Sequence, residues 1–75
     1  MNKKQLALVY LMEECNKASS HCSKNIHNKR VSKSDLEYQL GALFNAMREV
    51  AVELKLDEKN VETHLYEEMD KRTKN

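Results

Sequence analysis

Seventy-five residues with thirteen Lys and Arg against twelve Asp and Glu, a formal charge of +1, hold one domain at most. They give no basic excess from which general nucleic-acid affinity would arise. Proline is absent and Gly41 is the single glycine, so strong helix breakers are nearly missing and the chain reads as all-α. A domain of this size buries only about 60% of the surface its unfolded chain exposes, which makes self-association, as a dimer or higher oligomer, the default expectation.

No segment reaches the ~18 consecutive apolar residues of a membrane span. The apolar run from Leu6 to Met12 is broken by Glu13 and Glu14 before any small-residue cleavage site, so neither a signal peptide nor a membrane partner is expected and the location should be cytoplasmic.

In the first segment Leu8, Leu11, Met12, Cys15, Ala18, Ser19, Cys22 and Ile26 recur at steps of three and four, predicting a helix over 4–25 with one apolar stripe. Cys15 and Cys22 stand about 10 Å apart on such a helix, too far for an intrachain disulfide, and are expected as small core residues. The stretch 25–33 lacks periodicity and should be a turn. Lys24, Lys29, Arg30 and Lys33 concentrate positive charge there without an acidic neighbour, a solvated connection whose alternative use is an anion or phosphate contact through Lys24, Lys29 and Arg30.

Ser34-Asp-Leu-Glu37 has the form of a capping box, predicting a second helix over 35–55. Its stripe of Leu36, Leu40, Leu43, Met47, Val50 and Leu54, widened by Phe44 and Ala51, spans an arc broad enough for more than one neighbour. Asp57 can cap a third helix over 58–71 with the stripe Val61, Leu65 and Met69, and residues 71–75 should fray. The expected architecture is a single helical domain, 1–75: an antiparallel hairpin of helices one and two, with the shorter third helix folded back. Dimerisation would complete a four-helix-type bundle.

Among single residues, Gly41 inside a helix asks for a reason, and close helix approach is the expected one. Tyr10, Tyr38 and Tyr66 are expected at the core edge. His21, His27 and His64 share no metal-binding spacing and read as surface or boundary residues. No glycine-rich phosphate loop is present.

Paired carboxylates spaced three or four apart on two antiparallel helices can hold Mg²⁺ or Mn²⁺ and, through the ion, nucleotide phosphates. Leu11-Met-Glu-Glu-Cys-Asn-Lys-Ala18, Gln39-Leu-Gly-Ala-Leu-Phe44 and Leu54-Lys-Leu-Asp57 resemble, in order and spacing, the MazG-like all-α nucleoside triphosphate pyrophosphohydrolases, in particular their short phage and bacterial members. The resemblance spans roughly 6–65. It implies Glu-Glu-x-x-Glu on the first helix and Glu-Leu-Gly-Asp on the second as metal ligands.

Glu13 and Glu14 are kept, but Lys17 replaces the third glutamate of the first motif. Gln39 and Ala42 replace the glutamate and aspartate of the second. One carboxylate and a neutral amide make a poor Mg²⁺ site, and Lys17 would repel a cation while pairing with Glu14 at i, i+3. The resemblance therefore implies a catalytically inactive relative without a cofactor, which binds a protein partner or holds a nucleotide uncleaved. The alternative is an active metal-dependent NTP or dNTP pyrophosphohydrolase using Mg²⁺ or Mn²⁺ on Glu13, Glu14 and Glu37 or Glu49. A third reading is a small helical adaptor unrelated to that family.

Overall fold

The computed structural model describes residues 1–27 and 30–74; Lys29, named above as an anion contact, lies outside them. Among the described residues there are three helices and no strand: α1 (Lys3–Ile26), α2 (Lys33–Glu53) and α3 (Glu58–Thr73).

Each helix begins at a side-chain cap. Asn2 Oδ1 accepts the Gln5 backbone N–H at 2.8 Å while Gln5 Oε1 accepts the Asn2 N–H at 3.0 Å, a reciprocal box built from an amide pair. At α2 the cap is Ser32, whose Oγ accepts from Asp35 N–H at 3.0 Å. The box expected at Ser34 and Glu37 is not formed. Ser32 offers the same hydroxyl two residues earlier in extended backbone, and α2 starts there with Asp35 in its first turn. Asp57 caps α3 as expected, accepting from Lys59 N–H at 2.8 Å and Asn60 N–H at 3.4 Å.

The end of α2 is a Schellman turn. Lys55 N–H donates to the Val52 carbonyl at 3.2 Å and Leu56 N–H to the Ala51 carbonyl at 2.9 Å. Lys55 itself takes the left-handed φ of 54° that this turn requires, without being glycine.

The hairpin of α1 and α2 packs along one edge of the apolar stripes read in the sequence, together with small and polar residues outside them. Its buried residues are Ala7 and Glu14 on α1 and Gln39, Ala46 and Val50 on α2, with Leu11, Ala18, Leu36 and Leu43 half-buried. Small and polar side chains at its centre let the helices approach, and many of the bulky ones are left outside. Leu8, Met12, Ile26, Leu40, Phe44 and Met47 are all exposed.

Cys15 and Cys22, expected in the core, are exposed because they belong to that outer stripe. Tyr10 is half-buried, but Tyr38 and Tyr66 are 80% and 59% exposed and are not core-edge residues. Gly41 does not mark a close approach. A Cβ built there would meet nothing within 4 Å, because Gly41 lies on the side of α2 turned away from α1.

α3 buries none of its residues and does not fold back along the hairpin. The Cα positions span 40 × 38 × 16 Å. Two packed helices are only about 8–10 Å apart, so the second dimension comes from α3 reaching sideways. A stripe of one apolar residue per turn, Val61, Leu65 and Met69, is too narrow to pull it back. No described helix is long and apolar enough to cross a membrane.

Candidate functional site

The middle of the seam is polar. Glu14 and Gln39 are 6% and 4% exposed, each with a half-buried leucine one turn before it, Leu11 and Leu36, and a half-buried alanine one turn after it, Ala18 and Ala42. Gln39 Nε2 donates to Glu14 Oε2 at 2.9 Å and lies 3.4 Å from the Glu14 carbonyl oxygen. Lys17 Nζ reaches Glu14 Oε1 at 3.3 Å from one turn further along α1, its own side chain 62% exposed. Each carboxylate oxygen thus has one donor, which is the condition for keeping a buried charge in place.

The structure brings together three of the residues singled out in the sequence, Glu14, Lys17 and Gln39, and places Ala42 next to them, half-buried one turn beyond Gln39. Glu13 is exposed and stands about 100° around α1 from Glu14, outside the cluster. Lys24 and Arg30 are exposed. Glu37 and Glu49, the substitute ligands of the enzymatic alternative, are also exposed, and Glu49 Oε1 accepts from Asn45 Nδ2 at 3.5 Å.

His21 is one of the histidines expected at the surface or boundary. It is half-buried two turns beyond Glu14 on the same face, and its Nδ1 is sequestered without a hydrogen-bond partner. The seven-residue spacing from Glu14 was the available signal, since two helical turns return a side chain to nearly the same face.

The residues do not fit Mg²⁺ or Mn²⁺. Such ions take oxygen ligands in near-octahedral order. Here the second-helix contribution is an amide turned to donate to Glu14, and the neighbouring position on the first helix holds an ammonium. Among the described residues no three His, Cys, Asp or Glu side chains converge as a metal site.

One side of the seam carries an open groove of about 530 Å³ between the start of α1 and the end of α2, lined by Lys3, Leu6, Tyr10, Arg48, Glu49 and Val52 among others. Glu14 does not line it. Its two cations and its acidic residues offset one another, so it has no strong preference for an anion. Comparison with family models, with curated proteins and with solved structures gives no match.

Proposed function

We propose that this chain is a catalytically inactive, cytoplasmic protein of MazG-like design that acts by binding other protein surface. One observation carries the reading. Both oxygens of Glu14, the one expected ligand that remains at the seam, are held by groups that stand where further carboxylates would be needed, the Gln39 amide and the Lys17 ammonium. An ammonium at that distance from the carboxylate supplies the positive charge a metal ion would supply, but has no open coordination position for a phosphate. A protein-binding role is favoured over a nucleotide-holding one because the uncovered surface is apolar, which suits a protein surface, that of a second copy included, better than a phosphate.

The test is to restore the carboxylates with Lys17→Glu, Gln39→Glu and Ala42→Asp and to titrate Mn²⁺ by calorimetry, with circular dichroism showing the helices intact. Lys17→Glu with Gln39→Glu serves if the triple variant does not fold. Wild type should neither bind Mn²⁺ nor release pyrophosphate from NTPs or dNTPs, and the restored protein should gain Mn²⁺ binding. A folded variant that gains none would sink the alignment with the family. Pyrophosphate release by wild type that disappears in Glu14→Gln would make the protein an enzyme.

A further inference from the structure

The hairpin has two unlike sides, and helix geometry says which residues share each. At about 100° per residue, Leu8, Met12, Cys15, Cys22 and Ile26 lie about 80–160° from Glu14 around α1. Leu40, Phe44, Met47 and Ala51 lie about 80–140° from Gln39 around α2, in the same rotational sense. In an antiparallel pair, equal rotations from the seam bring both sets to one side. Groove residues Leu6, Tyr10 and Glu49 fall at negative rotations, on the other side. One broad face of the hairpin is therefore an apolar plane. Between Leu8 and Ile26 on α1, and between Leu40 and Leu54 on α2, it contains no Asp, Glu, Lys or Arg.

The size of the uncovered surface points to what covers it. The chain exposes 6615 Å², whereas a compact chain of 8.8 kDa exposes about 4,800 Å² by the scaling of surface with mass. The excess is about 1,800 Å². Part of that excess lies on α3, which buries none of its residues; half of it hidden on each of two chains would still bury about 1,800 Å² in all, the size of a standard stable interface. The radius of gyration, 14.6 Å, likewise exceeds the about 11 Å of a compact domain of this length. Among the described residues the buried apolar ones are Ala7, Ala46 and Val50, too little core for independent stability.

We infer that the plane formed by Leu8, Met12, Leu40, Phe44 and Met47 is the face on which a second copy of this chain packs, hairpin on hairpin. An uncharged plane can meet itself across a two-fold axis without like charges facing one another. The paired planes supply the core that each chain lacks, and Cys15 and Cys22 become buried within it. This inference does not rest on the inactive reading of Glu14, which lies in the seam and not on the plane.

Sedimentation of wild type at about 50 µM should give twice the chain mass, with a melting temperature that rises with protein concentration. Cys15 and Cys22 should resist alkylation until the protein unfolds. Phe44→Glu and Met12→Glu should each shift the protein towards monomer and expose both thiols. Tyr38→Glu, on an exposed tyrosine outside the plane, should leave mass and thiol protection unchanged. A folded wild-type monomer with freely reactive cysteines would overturn the inference and hand the plane to a different protein. An oligomer that Phe44→Glu, Met12→Glu and alkylation all leave intact would overturn the choice of face.

Discussion

Replacing Gln39 with leucine separates the two roles that a buried polar contact can have. The Gln39 amide and the Glu14 carboxylate are both more than nine-tenths buried and meet at 2.9 Å. A hydrogen bond to a charged group contributes about 1.5–3 kcal/mol, and leaving the charge without its partner exacts that much or more. Leucine is close to glutamine in volume, so the change removes the donor without opening a large cavity. Gln39→Leu should therefore destabilise the protein by about 2 kcal/mol, a fall in melting temperature of about 8–16 °C for a chain of this length.

Glu14→Leu combined with Gln39→Leu removes the charge together with its donor. The pair should regain stability to within about 1 kcal/mol of wild type or exceed it, since apolar replacement of a buried polar pair is commonly neutral or favourable. Lys17 loses its acceptor in the double variant, but it is mostly exposed and returns to water. The assay is urea unfolding followed by circular dichroism, with every variant at one protein concentration so that association contributes equally. The reasoning fails if Gln39→Leu alone is as stable as wild type, or if the double variant is as damaged as the single, because either result denies the coupling between the two side chains.

Other substitutions probe the helix ends and the isolated glycine. Ser32→Ala should cost about 1 kcal/mol in urea unfolding whereas Ser34→Ala stays within about 0.5 kcal/mol, the reverse of what a capping box at Ser34 requires. Gly41→Ala should stabilise by about 0.5–1 kcal/mol, since the added methyl meets nothing and the unfolded chain loses freedom; a lower melting temperature would show that a neighbour does approach that side. Lys55→Gly should raise stability by up to about 1 kcal/mol by relieving the left-handed conformation at the end of α2.

The helices were legible because their number and ends are local matters: the absence of proline, the steps of three and four, and Asp57 before α3 each act within a few residues. The start of α2 was less so, since Ser32 and Ser34 carry the same hydroxyl and only the backbone decides between them. Which part of each broad stripe faces the other helix was legible only in part. Leu8, Met12, Phe44 and Met47 share the periodicity with Leu11, Leu36, Leu43 and Val50, and the buried Ala7 and Ala46 stand outside the stripes, because close approach of two helices asks for small side chains while hydrophobicity counts large ones. The same blindness concealed part of the site. Lys17 against Glu14 follows from the spacing along one helix, but the contact of Gln39 with Glu14 depends on the register of the seam, to which the alanines on both helices contribute. Periodicity records the surface that a chain must finally bury. The hairpin leaves the outer part of the stripe of both its helices in water, and the plane around Phe44 is the surface on which the proposed second copy would pack.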